Sequence, residues 1–219
     1  MTERLSYSGV QEFLTGLVPS RSDEMLAMEK YAEEKDFPII GAAAGHMCYQ
    51  IARLIGARSV FEMGSGYGYS TAWFARAVKE NAALHGSTEG RVHHVVWDEN
   101  LSRMAGEHLR RLGLASFVQY HVAEAVETLK GMPGGFDLIF NDIDKESYPA
   151  SIPVIKEKLR PGGVLLVDNI LWSGRIFDEN DKSGSTEGVR EFTRLISRDR
   201  DWIVSVLPVR DGVMLAFKK

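Results

Sequence analysis

Two groups of residues in this chain have the types and the spacing to do chemistry. In the first, Asp142, Asp144 and Lys145 follow the apolar run Phe136 to Asn141, and Asp168-Asn169 follow Val164 to Val167. If the two runs are neighbouring strands, Asp142, Asp168 and Asn169 converge as two carboxylates and an amide. Hard oxygen donors without His or Cys suit Mg²⁺ or Ca²⁺, and three protein ligands leave positions for water and substrate oxygens. Asp and Asn also end strands because they make good turns and caps. One such residue would read that way, but a full set at adjacent strand ends reads as a site. A substrate hydroxyl beside a divalent cation has a lowered pKa, so a neighbouring base can remove its proton and leave an oxyanion nucleophile. Lys145, three residues after Asp142, is the candidate base if nearby positive charge lowers its pKa. A surface ion pair is its competing role.

The second group is Glu62-Met63-Gly64-Ser65-Gly66-Tyr67-Gly68-Tyr69-Ser70, which follows the apolar residues Val60-Phe61. A strand, a turn with glycines at alternate positions and a helix from about residue 70 put bare backbone N–H groups beside whatever binds there. A dinucleotide fingerprint needs Gly-x-Gly-x-x-Gly, and here the third glycine falls one residue early, with Tyr69 in its place. Glu62 would repel a pyrophosphate but suits a ligand with an ammonium or sulfonium group. The motif therefore favours S-adenosylmethionine (SAM) over NAD; a tight turn that needs glycines only for its geometry is the plain alternative.

The elements that must position these groups alternate along the chain. Strands are expected at 59–63, 91–97, 117–122, 136–141 and 164–167, with helices at 70–79, 99–111, 124–129 and 151–159 between them. That alternation means an open, mostly parallel α/β sheet whose ligands sit at the carboxyl ends of the strands. After a helix at 187–197, strands 202–208 and 213–217 are joined by only Val209 to Gly212, which forces an antiparallel hairpin. Helices at 5–17, 22–36 and 42–54 form an N-terminal extension (residues 1–55) ahead of an α/β core (56–219), all read as one domain. Such an extension can cover the mouth of the sheet or make a subunit contact.

Composition narrows the function classes. The chain has 219 residues, 44% of them hydrophobic and 26% charged, which suits an ordinary folded α/β domain rather than a disordered one. Its formal net charge of −4 argues against nucleic acid as the main partner. One cysteine, Cys48, excludes an intramolecular disulfide and a cysteine metal cluster, and its apolar helical setting predicts a buried hydrophobe. Without a signal-peptide core or an apolar run long enough for a membrane, a cytoplasmic location is expected. The histidines lack ligand spacing, and His93-His94 point to opposite faces of a strand.

The segments Phe61 to Ser70, FDLIFNDIDKESY (136–148), LRPGGVLLVDNILWSG (159–174) and LPVRDGVMLAFK (207–218) together resemble the cation-dependent O-methyltransferases of the catechol and caffeoyl-CoA type. The resemblance runs from about residue 37 to the C-terminus. It implies a Rossmann-like class I methyltransferase: a seven-stranded, mostly parallel sheet with an antiparallel last strand and helices on both faces. Carried over by position, Asp142, Asp168 and Asn169 match metal ligands for Mg²⁺ or another divalent cation. Lys145 matches the catalytic lysine, with Asp142 beside it as both a catalytic and a cofactor contact. Glu62, Gly64 and Ser70, with Ser65, Gly66 and Gly68 of the same turn, match the SAM contacts, and Glu124 matches the acidic position near the adenine. Trp172 would border the substrate pocket. The sequence departs from the family at Val96, where an acid usually holds the cofactor ribose and for which Asp98 could substitute. It departs again at Ala44, and at Met214, where catechol enzymes carry a glutamate that orients the second hydroxyl. The resemblance implies methyl transfer from SAM to a small hydroxylated acceptor, in a homodimer. The rival reading is a methyltransferase-like binding or oligomerisation module that has lost SAM affinity through Val96 and Ala44.

Overall fold

A computed structural model of the chain describes residues 6–219; Met1 to Leu5, on which the reading of the N-terminus and the first residue of the first helix fall, lie outside the described residues. The chain runs α1 (Tyr7–Gly16), α2 (Asp23–Lys35), α3 (Gly41–Leu54), β1 (Ser59–Met63), α4 (Tyr69–Leu84), β2 (Arg91–Val96), α5 (Glu99–Arg111), β3 (Val118–Val122), α6 (Ala125–Gly131), β4 (Phe136–Asn141), α7 (Tyr148–Lys158), β5 (Leu159–Val167), α8 (Gly184–Arg198), β6 (Trp202–Leu207) and β7 (Val213–Lys218). Short 3₁₀ turns at Lys145–Ser147 and Trp172–Phe177 follow β4 and β5.

The seven strands form one sheet in the order β3-β2-β1-β4-β5-β7-β6. β1 to β5 are parallel, and β7 runs antiparallel to both β5 and β6. The expected hairpin is present, and β7 inserts between β5 and β6. Strand alternation divides the apolar side chains between two cores. Val60, Val92, Leu138, Phe140 and Leu166 pack under α3, α4 and α5 with residues of α2, while Phe61, Val95, Ile139, Leu165 and Val167 pack under α6, α7 and α8. Both faces are covered, which is why the central strands read as nearly continuous apolar runs. Cys48 is fully buried in α3, as expected of a small hydrophobe.

Several boundaries differ from the sequence reading, those of α7, β5 and α4 with clear causes. α7 begins at Tyr148 rather than residue 151, with Pro149 in its first turn, where a missing N–H leaves nothing unsatisfied. β5 begins at Leu159, because Pro161-Gly162-Gly163 makes a bulge within the strand: the register on β4 shifts between Phe136 and Leu138, and Gly162 takes φ +74°. α4 continues to Leu84, held by the burial of Ala82 and of Asn81, whose amide donates to the Ala52 and Ala57 carbonyls.

The switch point of the sheet, where the order turns from β1 outward in both directions, lies between the carboxyl ends of β1 and β4. Both groups of chemically capable residues sit there.

Candidate active site

The acid and lysine group is tied together by Tyr148. The Lys145 Nζ donates to Asp142 Oδ1 (2.7 Å), to the Ile143 carbonyl (3.2 Å) and to the Tyr148 hydroxyl (2.9 Å). That hydroxyl in turn shares its proton between the carbonyls of Asp168 (3.0 Å) and Asn141 (3.3 Å), so one buried side chain joins the ends of β4 and β5 to the lysine. Burial raises the Tyr148 pKa well above its ordinary value, keeping it a neutral donor and acceptor. The Asp168 carboxyl is buried with an Oδ1 that has no hydrogen-bond partner among the described residues. Burial first, and the neighbouring Asp142 charge second, push it up to about 7; burial also raises Asp142, against the opposing pull of Lys145. Two acids held close with one oxygen orphaned call for a proton or a cation.

Asn169 sits at φ +57°, and its amide nitrogen donates to Asp211 Oδ2 (3.1 Å). With the nitrogen so engaged, its carbonyl oxygen remains as the acceptor. Asp211 also accepts from the Ser173 N–H through Oδ1 (2.5 Å), fixing the turn that carries Trp172.

At the glycine turn the backbone conformation and the packing require glycine. Gly64 has φ +85°, and a Cβ built there would stand 2.2 Å from the Asp142 carbonyl oxygen. Gly68 has φ +91°, and its Cβ would lie 2.8 Å from that of Ala105 in α5. The first clash shows that part of the glycine requirement is strand packing. Glu62 is fully buried beneath the turn. The Thr71 hydroxyl donates to its Oε2 and stands 2.9 Å from His94 Nδ1, whereas Oε1 has no partner among the described residues. Burial pushes the Glu62 carboxyl up to about 7, against the pull of the Ser70, Thr71 and Ser65 hydroxyls.

One cavity of ≈ 770 Å³ joins the two groups. Its wall passes from Gly64 and Gly66 along Val95, Val96 and Trp97 on one side and reaches Asp142, Lys145, Asp168, Asn169 and Trp172 on the other. Phe37, Pro38 and Ile39, between α2 and α3, close it from above, so the N-terminal extension does cover the mouth of the sheet. A small pocket of ≈ 30 Å³ between this segment and the turn is lined by Ser65, Ser70, Gly66 and Asp142. A second cleft, of ≈ 730 Å³, opens around Arg58, Glu89 and Asp137 at the opposite, amino ends of the strands, away from all of these groups.

Not every residue singled out in the sequence reaches the cavity wall. Glu62 lies behind the wall. Asp98 caps α5, accepting from the Leu101 N–H through Oδ1 (3.0 Å), which leaves its second oxygen without a hydrogen bond among the described residues. Glu124 caps α6 with both oxygens, at 2.9 Å to Val126 N and 2.6 Å to Glu127 N, between the lining residues Ala123 and Ala125. Ala44 is buried within α3, and Met214 is a buried residue of β7.

Sequence reasoning missed Tyr148, Arg210 and Gly188. The Lys-x-x-Tyr spacing was a signal for the first. Gly188 of α8 has no local signature, yet its Cβ would fall 2.2 Å from the Lys145 carbonyl oxygen, so α8 can support the lysine turn only with glycine there.

Comparison with known proteins finds relatives along most of the chain. A family model described as O-methyltransferase matches residues 23–219. A catechol O-methyltransferase of Niastella koreensis is 28% identical over 97% of this chain and 98% of its own length. One from Mycobacterium tuberculosis is 31% identical over 83% of this chain and 80% of its own. Among solved structures, the O-methyltransferase TomG of Streptomyces achromogenes, involved in tomaymycin synthesis and crystallised in complex with SAM, superposes with a TM-score of 0.84 at 26% identity, covering 100% of both chains.

Proposed function

This chain belongs to the O-methyltransferase family, and from that membership we propose that it transfers the methyl group of SAM to a hydroxyl of a small catechol-like acceptor, with a divalent cation held by Asp142, Asp168 and Asn169. The observation that carries the reading is the buried Asp168 oxygen, without a partner among the described residues, beside Asp142 and Lys145 on the wall of the cavity that also opens on the glycine turn. These donors fit a hard cation. When bound, such a cation lowers the pKa of the acceptor hydroxyl and neutralises the oxyanion that attacks the methyl group.

The chain's own residues do the rest. Lys145, steadied by Tyr148, stands where it can hold or move the hydroxyl proton. Trp172 and the Phe37 to Ile39 segment enclose the acceptor and exclude water. The Glu62 carboxyl, buried just beneath the glycine turn, favours a cationic ligand such as SAM above it, Asp98 has an oxygen to spare for the ribose, and Glu124 holds the turn that lies against the adenine. The large exposed apolar side chains of Phe13 on α1 and Leu17 just after it support assembly as a homodimer. No helix among the described residues is long and apolar enough to cross a membrane.

Calorimetric titration tests this. SAM should bind wild type and Asp142→Ala alike within about tenfold, while catechol should bind the SAM complex only with Mg²⁺ present and only in wild type. Equal catechol affinity with Mg²⁺ and with chelator would remove the cation from the reading.

A further inference from the structure

We propose that Arg210 anchors an anionic group on the acceptor, so that the substrate class is a phenol or catechol bearing a carboxylate rather than a neutral diol. The inference rests on the methyl-transfer reading above and adds the substrate's charge to it.

Arg210 lies in the β6–β7 hairpin loop and lines the catalytic cavity beside the acid group. Its positive charge acts favourably on both Asp142 and Asp168. Apart from Lys145, which Asp142 already holds, it is the one cation among the described lining residues, and its guanidinium makes no hydrogen bond or ion pair there. Arg160, Arg175, Arg190 and Arg194 each have a carboxylate partner at 2.5 to 2.7 Å. An arginine left unpaired at a cavity wall is an open two-pronged donor for a carboxylate.

Its placement is enforced from two sides. The residue sits at φ +52°, a strained conformation for a side chain of this size. Three bonds from α1 fix its backbone: the Tyr7 hydroxyl donates to the Arg210 carbonyl, the Gln11 amide donates to the Pro208 carbonyl (3.0 Å), and the Arg210 N–H donates back to Gln11 Oε1 (2.5 Å). The side chain then passes over Gly41, whose Cβ would lie 3.5 Å from the arginine Cδ.

The acids nearby point the same way. Four carboxylates, Asp142, Asp144, Glu146 and Asp168, line the cavity, and without a dedicated cation they would repel an anionic acceptor. Asp211, the remaining acid beside the site, is occupied by Asn169 and Ser173 and offers no ready acceptor to a second neutral hydroxyl. Neutralising the acids is the competing role for Arg210, and that role would serve every acceptor equally.

Steady-state kinetics with protocatechuate, its alcohol analogue and its amine analogue separate the two roles. Wild type should prefer protocatechuate, and its KM for that acceptor alone should rise with ionic strength. Arg210→Met should lower kcat/KM for protocatechuate, chiefly through KM, by about 10- to 100-fold more than for the alcohol. Arg210→Lys should recover part of the loss, and an unchanged SAM titration shows that the variants are folded. Equal losses on both acceptors, or a wild-type preference for the alcohol or amine without salt dependence, would overturn the anchor while leaving the methyl-transfer reading in place. Turnover of none of the three by wild type would overturn that reading, and the anchor with it.

Discussion

Asp168→Asn is expected to lower kcat/KM for methyl transfer by about 100- to 1000-fold while leaving the fold as stable as wild type, or more so above neutral pH. The isosteric amide keeps the shape of the site but cannot supply a charged donor where the orphaned oxygen stands. The stability half follows from linkage. The carboxyl is pushed up to about 7 in the folded protein, against about 3.9 unfolded. The folded state therefore binds this proton more tightly, and the stability so contributed is complete below about pH 4 and lost as pH rises through about 7. The ionised group is then buried beside Asp142 at a cost that the amide does not carry. Activity assays paired with thermal unfolding between about pH 5 and 8 check both halves. A variant that loses activity and stability together at high pH would show that Asp168 is structural.

Gly64→Ala should destabilise the fold by about 2–5 kcal/mol and abolish SAM binding. The alanine must hold φ +85°, and its Cβ overlaps the Asp142 carbonyl oxygen, which belongs to backbone that cannot swing aside like a side-chain tip. Relief requires parting the ends of β1 and β4, where the Asp142 N–H donates to the Met63 carbonyl at 2.9 Å. That separation would also move the acid group. Urea unfolding of the variant beside Gly16→Ala, a glycine with nothing within 4 Å of its built Cβ, measures the effect against an unobstructed site. Equal stability in the two variants would contradict it.

The fold was largely legible because its signals are local. Alternating apolar strands and helices, the glycine turn after Met63 and the five-residue link between β6 and β7 each dictate their geometry from adjacent residues. The convergence of Asp142 and Asp168 followed as well, since the ends of neighbouring parallel strands meet. The features that escaped depend on contacts distant in sequence. Tyr148 matters because its hydroxyl reaches Asp168, Gly188 because α8 presses on the Lys145 carbonyl, and Arg210 because α1, nearly two hundred positions earlier, fixes its backbone. Pro161-Gly162-Gly163 falls in the gap between the expected helix 151–159 and strand 164–167, because such residues serve turns and bulges alike and only the pairing of Leu159 with Phe136 marks a bulge. The capping duties of Asp98 and Glu124 likewise depend on which backbone N–H groups their helices leave open.

Methyl transfer from SAM to oxygen is read directly by mass spectrometry of a catechol acceptor incubated with the protein and methyl-labelled SAM, in Mg²⁺ and in chelator. One labelled methyl on a hydroxyl oxygen and an equivalent of S-adenosylhomocysteine are expected in Mg²⁺, with both suppressed in chelator. A protein that binds SAM yet leaves its methyl group in place with every hydroxylated acceptor would contradict it, and would mark the cavity as a binding site that retains the architecture of the family without its reaction.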